Sequence, residues 1–312
     1  VVGGYLEDGS DGFNELSKII LECIAELPTF RPQASFRYTK YTTAETMEYI
    51  TKLNAKCQWI VFVNDEPRIP GMVDIGIEFK DAVNYTIVGC NEWSLPCGAR
   101  LDLAHINLLH SIEQLIYNDS DFLEANSYDD VFKLFKKHLK IDMLAIVEEY
   151  SNYSKAISND INVLNSALST SCIESGKSFT DKGTKYYGIT MSFNSISNAA
   201  DSLSVIKQFV FDEKIFTLAQ LYDMLKDNYS SFENERKLIL KKGRFFGNND
   251  DYADDIANSI INAIYEIRNE IKSDDINTVA VGSFVGATHP NIVFGKMTKA
   301  TPDGRYNKDA FT

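Results

Sequence analysis

Two short runs constrain this chain most. "WIVFV" (59–63) and "YTIVG" (85–89) have the length of strands, carry β-branched and aromatic residues, and are apolar at consecutive positions. A strand sends successive side chains to opposite faces, so a run that is apolar at both parities needs cover on both faces. The cover is legible around them. "NELSKIILECIAEL" (14–27) has helical apolar spacing with Asn14 as a cap, and "TTAETMEYITKLNAKC" (42–57) has the same spacing with a cap at Thr42 or Thr43. Helices alternating with two-sided strands give an α/β layer or barrel. About five strands are visible, fewer than a closed barrel of that class needs.

The rest of the chain continues the alternation. "QASFRYTK" (33–40) reads as extended, "PRIPGMVDIG" (67–76) as a turn and short helix, and 101–117 as a helix. Residues 128–157 read as one helix or two. "GTKYYGITMSFN" (183–194) reads as extended, and "ISNAADSLSVIKQFVF" (196–211) as a helix. Helices follow at "TLAQLYDMLKDNY" (217–229), "ENERKLILKK" (233–242) and "DDYADDIANSIINAIYEIRNEI" (250–271), then a strand at "NTVAVGSFVG" (277–286) and a loop-like end from residue 293. The acidic run "NNDDYADD" lacks the Gly and Glu spacing of a calcium loop and fits a helix start whose dipole favours negative charge. "PDGR" (302–305) reads as a turn, with Arg305 set to pair with acidic neighbours.

Charge and cysteine usage exclude several classes. The 312 residues carry 31 Lys and Arg against 44 Asp and Glu, a net charge of −13. A phosphate backbone needs a basic surface, so no nucleic-acid partner is expected. No run approaches 18 apolar residues, so no membrane partner is expected, and no signal segment opens the sequence. The five cysteines are odd in number and widely spread, which fits a reducing cytoplasm better than a disulfide framework. Cys23 and Cys57 fall in helical patterns and are expected to pack.

One segment carries chemistry. The strand at 84–88 runs into Gly89, Cys90 and, two residues on, Glu92. If extended geometry persists past Gly89, Cys90 and Glu92 face one side at the carboxyl end of a buried strand, where α/β folds place active sites. Three readings fit the pair. Cys90 is a packed thiol beside a surface glutamate; or Cys90 and Cys97 ligate a metal, for which no second ligand pair with metal-site spacing lies near, His105 and His110 being five apart; or Cys90 is catalytic. A nearby carboxylate raises a thiol's pKa, so a catalytic Cys90 works as a neutral thiol or thiyl radical, with Glu92 handling a substrate proton. His289 reads as a core or turn residue.

Longer stretches carry a resemblance. "VVGGYLEDGSDGFNELSKIILE", "FVNDEPRIPGMVDIGIEFKDAVNYTIVGCNE", "CIESGKSFTDKGTKYYG", "ADSLSVIKQFVFDEK", "GNNDDYADDIA" and "VFGKMTKATPDGRYNKDA" resemble, in order, segments of the glycyl radical enzymes related to pyruvate formate-lyase. That resemblance implies a ten-stranded α/β barrel of two half-barrels with the cysteine loop in its centre. It implies a glycyl radical, stored outside these residues and installed by an S-adenosylmethionine iron–sulfur activase, which generates a thiyl on the loop cysteine. Cys90 matches that cysteine, Glu92 the acid/base glutamate, and Asp102 the substrate-binding aspartate that opens the next helix in dehydratases. A helix N-cap worth about 1 kcal/mol is a second role for Asp102.

The departures are Asn91 and Trp93 where eliminating members have Val and Pro, and Cys97 in "LPCG"; Cys90 has no adjacent second cysteine, as the lyases proper do. No Arg-Val-x-Gly-Tyr segment is present. The expectation is that residues 1–312 are the central-to-late part of a longer enzyme, inactive alone, without the N-terminal half-barrel and the glycyl radical domain. The expected activity is radical elimination, a dehydratase or C–N/C–S lyase acting on a small polar substrate in a homodimer. Arylacetate decarboxylation, formate C-acetyltransferase-like chemistry, or an inactive truncated chain are the alternatives.

Overall fold

The computed structural model describes residues 1–27, 33–88, 92–283 and 288–311. The chain divides into two compact units: Val1–Leu101 with Ser154–Gly188, and Asp102–Tyr153 with Ile189–Thr312.

Unit 1 is built on three parallel strands, β1 (Val2–Gly3), β2 (Ala34–Tyr38) and β3 (Ile60–Asn64), in that order, with Phe36 opposite Phe62. Helices α1 (Glu15–Glu26) and α2 (Ala44–Cys57) pack on each other, and their core consists of Leu21, Ile50, Leu53, Phe36 and Ile60. Both caps fall where the sequence puts them. The Asn14 side chain accepts the Ser17 N–H in a capping box, and the Thr43 hydroxyl accepts the Thr46 N–H, each satisfying a first-turn donor. Cys57 packs half-buried at the edge of this core, but Cys23 is exposed, contrary to its expected packing role, because α1 turns its 17 and 21 positions inward instead.

After β3 come α3 (Asp65–Asp74), the single turn α4 (Phe79–Ala82), and β4 (Thr86–Val88). β4 does not join the parallel layer; it pairs antiparallel with β5 (Glu92–Ser94), with Ile87 opposite Trp93 and Val88 opposite Glu92. Val88 is 52% exposed, so "YTIVG" is not covered on both faces. Its root is covered: Val83 and Tyr85 lie in a second apolar cluster with Val63, Ile69, Met72 and Ile77.

Residues 101–117 are not one helix. Residues Ala99–Asn107 form strand β6, and the helix α5 is Leu108–Asn118. The helical spacing comes from 108–116, where Leu108, Leu109, Ile112, Leu115 and Ile116 are buried. The residues before it alternate, with Arg100 and Ile106 buried and Leu103 and His105 exposed, which is the period of a strand. Asn107 is the boundary, its side chain accepting the Leu109 N–H.

Unit 2 holds the remaining length of β6 and of β7 (Tyr186–Asn194), ordered β6-β7-β8 with β8 (Thr278–Ser283). Around its core run α5, the single long α6 (Tyr128–Ile157), α9 (Ile196–Val205) continuing into a π-helical turn at Ile206–Asp212, α10 (Leu218–Lys226), α11 (Glu233–Lys242) and α12 (Asp251–Glu270). The short α7 (Val163–Leu168) and α8 (Thr170–Ser175) precede β7 in unit 1. α12 packs against α9, and Asp250 caps α12 by accepting the Tyr252 N–H, as the acidic run implies. The chain's end is less loop-like than expected, because Thr288–Met297 is a helix, α13. The turn at 301–304 is present, the Gly304 N–H donating to the Thr301 carbonyl at 3.1 Å. The Arg305 guanidinium donates to the Thr301 hydroxyl at 3.2 Å and to backbone carbonyls of 298, 299 and 309, and the nearby charges of Asp303 and Asp309 act on it.

Candidate active site

Cys90, with Gly89 and Asn91, lies outside the described residues. By sequence it falls between β4 and β5, which pair antiparallel. Val88 pairs antiparallel with Glu92; the same-face placement expected of Cys90 and Glu92 falls on Cys90 and so lies outside the described residues. Glu92 opens β5, is exposed, and shares a face with Val88 as its cross-strand partner.

The return strand is anchored within unit 1. Leu95 is buried, and Trp93, Cys97 and Ala99 pack half-buried against the same cluster as Tyr85 and Tyr186. Gly98 turns the chain in the left-handed region at φ 101°; a Cβ there would stand 2.6 Å from the Ser171 hydroxyl, so only glycine fits. The Ser171 N–H donates to the Cys97 carbonyl at 3.1 Å, and the Ser171 hydroxyl accepts the Lys185 N–H at 3.0 Å.

Beside Cys97 lies a polar cluster absent from the sequence reading. The Asp81 carboxylate accepts from Lys185 Nζ and from the Tyr186 hydroxyl, each at 2.7 Å. Lys185 Nζ also pairs with Glu78 at 2.7 Å, and the Glu78 N–H donates to the Tyr186 oxygen at 3.0 Å. Burial works against the Asp81 charge, but the bonds from Lys185 and Tyr186 hold its carboxyl below the usual range. Burial, together with the Asp81 charge, pushes the Cys97 thiol up to about 11. Cys97 is therefore a neutral thiol at physiological pH, a poor metal ligand or ionic nucleophile. The cluster's signal in the sequence is thin: "FKDAV" and "TKYYG" are a hundred residues apart and carry no spacing that links them.

In unit 2, Asp102 is part of β6, half-buried, on the strand face it shares with Ala104 and Ile106. It does not open a helix, so the N-cap role fails; Asn107 has that role. His105 is also in β6, where its Nδ1 meets the Asn194 amide at 3.3 Å. His110 is in α5 and bonds Asp142 at 3.0 Å, which raises its pKa. The two histidines thus belong to different elements. His289 falls in α13, and its side chain is outside the described residues. Among the described residues no group of three or more His, Cys, Asp or Glu is arranged to hold a metal, and no helix is long and apolar enough to cross a membrane.

Comparison with known proteins assigns the class. A family model described as "Pyruvate formate lyase-like" matches residues 1–289. The chain belongs to that family. It is 27% identical to the (2S)-3-sulfopropanediol dehydratase of Klebsiella oxytoca over 327 residues, which are 97% of this chain and 39% of that one. It is 29% identical to the trans-4-hydroxy-L-proline dehydratase of Clostridioides difficile, covering 97% of this chain and 40% of that one. Among solved structures, the glycerol-bound B12-independent glycerol dehydratase from Clostridium butyricum superposes with a TM-score of 0.89 at 26% identity, covering 100% of this chain and 41% of that one. The α/β barrel fold implied by the sequence resemblance is the fold of these relatives. The chain spans about two fifths of their length.

Proposed function

We propose that this chain carries the thiyl and acid/base residues of a radical eliminase, a dehydratase or C–N/C–S lyase acting on a small polar substrate. One observation carries the reading: the match to curated dehydratases runs over 97% of the chain, whose sequence holds Gly-Cys-x-Glu at 89–92. In this reading, Cys90 as a thiyl takes a hydrogen atom from a substrate carbon that bears a hydroxyl. Glu92 accepts the proton of that hydroxyl, the leaving group departs from the adjacent carbon, and the product radical regains a hydrogen atom from the Cys90 thiol. The radical itself comes from a glycyl radical outside these residues, set by an S-adenosylmethionine iron–sulfur activase. Asp102 holds the hydroxyl-bearing or cationic end of the substrate. The active enzyme is a cytoplasmic homodimer, and residues 1–312 are part of its barrel.

Elimination is favoured over arylacetate decarboxylation by charge. At about 4 Å and an effective dielectric near 20, each contact between a substrate carboxylate and a like-charged side chain costs up to about 4 kcal/mol. Glu92 and Asp102 suit hydroxyls or a cation instead. The test is to incubate the activated full-length enzyme with diols, amino alcohols and arylacetates and to follow aldehyde and carbon dioxide. Aldehyde is expected; carbon dioxide from an arylacetate, with no aldehyde from any diol or amino alcohol, would replace this reading with decarboxylation.

A further inference from the structure

The root of the Cys90 hairpin is held by one buried ion pair within unit 1. Arg37, on β2, is 5% exposed, and Asp65, the first residue of α3, is 0% exposed. The pair is bidentate, Arg37 Nε donating to Asp65 Oδ1 at 3.1 Å and Nη2 to Oδ2 at 2.7 Å. The other guanidinium donors reach forward along the chain. Nη1 donates to the Tyr85 carbonyl at 3.1 Å, and Nη2 to the Val83 carbonyl at 2.9 Å. Asp65 in turn accepts the Tyr85 hydroxyl at 2.6 Å and the Tyr5 N–H at 3.0 Å. The guanidinium carbon lies 3.9 Å over the Tyr85 ring. The glycine pair near the start of the chain makes room for this: a Cβ on Gly4, whose φ is 91°, would stand 2.6 Å from the Arg37 guanidinium carbon.

A buried ion pair is a weak source of stability, since desolvation offsets most of its attraction and apolar residues of the same volume often do as well. What it supplies here is geometry. A planar fork bonded to a fixed carboxylate and to two carbonyls sets both the position and the tilt of residues 83–85. Those residues lead directly into Thr86–Val88, the strand before Cys90.

We propose that Arg37 and Asp65 are positioning residues for the hairpin that carries Cys90 and Glu92. The proposal rests on the reading of Cys90 as the hydrogen-abstracting residue. Hydrogen-atom transfer needs near-contact geometry, and misplacement by about 1 Å costs about a hundredfold in rate. Arg37→Lys keeps the charge but loses the fork; Asp65→Asn keeps the shape but loses the bidentate ionic partner.

The test uses both variants in the full-length enzyme, activated anaerobically, with Cys90→Ser as control. The glycyl radical signal by electron paramagnetic resonance should match wild type, KM should stay within about twofold, and kcat should fall about tenfold to about a hundredfold. Amide exchange should accelerate in 86–88 and 92–94 while β2 and β3 stay protected. Unchanged kcat and unchanged hairpin exchange would overturn the proposal. So would exchange that rises evenly through unit 1, which marks a general core strut. Should either variant fail to fold, Tyr85→Phe, which removes one hydroxyl from Asp65, must still raise hairpin exchange selectively or the proposal falls. A Cys90→Ser enzyme that turns over would sink the reading of Cys90 by itself, while the exchange result, which needs no turnover, still decides whether the pair holds the hairpin.

Discussion

Asp201, on α9, gives the sharpest test of unit 2. It is half-buried, its Oδ1 accepting the Phe246 N–H at 2.7 Å. Burial raises its pKa from 3.8 to about 7; the Phe246 N–H opposes this, and the charge of Asp303 adds to it. The folded state therefore keeps a proton that the unfolded chain releases near 3.8. Its contribution to stability is fully present below 3.8 and is lost as pH rises through about 7. Between pH 5 and 8 the loss is on the order of 1–2 kcal/mol, after allowing for the solvent-facing part of the carboxyl. Asp201→Asn keeps the acceptor for Phe246 and cannot ionise, so the variant should lack the effect. Urea unfolding of both proteins at pH 5, 6, 7 and 8 measures the difference. Both tryptophans, Trp59 and Trp93, lie in unit 1, so their fluorescence follows that unit, whereas far-ultraviolet circular dichroism also follows the helices of unit 2. Wild type should lose stability relative to Asp201→Asn as pH rises, in the dichroism transition. A difference that is flat with pH, or one that grows in favour of wild type, would refute the burial argument.

Two further outcomes concern the hairpin. Cys97→Ser should leave most turnover in the activated enzyme, and at pH 8 Cys97 should alkylate about a hundredfold more slowly than an ordinary cysteine, because so little of it is thiolate; equal loss of activity in Cys97→Ser and Cys90→Ser would mean that the two thiols act together. Glu92→Gln should lower kcat by about a hundredfold or more while leaving the glycyl radical signal intact, since proton transfer from the substrate hydroxyl is what is removed; a kcat near wild type would take the acid/base role away from Glu92.

Local signals in the sequence were reliable where they were self-contained. The caps at Asn14 and Thr43, the helix start in the acidic run before Tyr252, and the periodicity of α1, α2 and α12 depend on residues within one or two turns, and the structure has them in place. What failed depended on distant partners. Thr86–Val88 has the composition of a buried parallel strand, but its partner is the segment six residues on, which turns it into half of a hairpin with Val88 exposed. Residues 99–107 are strand because β7, some eighty residues later, pairs with them; the apolar run at 108–116 hides this by extending the helical pattern backwards. The proposed site shows the same division. Cys90, Glu92 and Asp102 are visible as a motif, whereas Arg37, Asp65, Asp81 and Lys185 come together only through the fold, and their separations of 28 and 104 residues leave no pattern to read.

The most direct test of the whole account is Cys90→Ser in the full-length enzyme after anaerobic activation, with electron paramagnetic resonance and product formation measured on one sample. Cys90 is assigned to relay the radical rather than to store it. A glycyl signal of wild-type intensity and no aldehyde from any diol or amino alcohol are expected. Turnover that persists without the thiol, or a glycyl signal that disappears with it, would contradict that assignment.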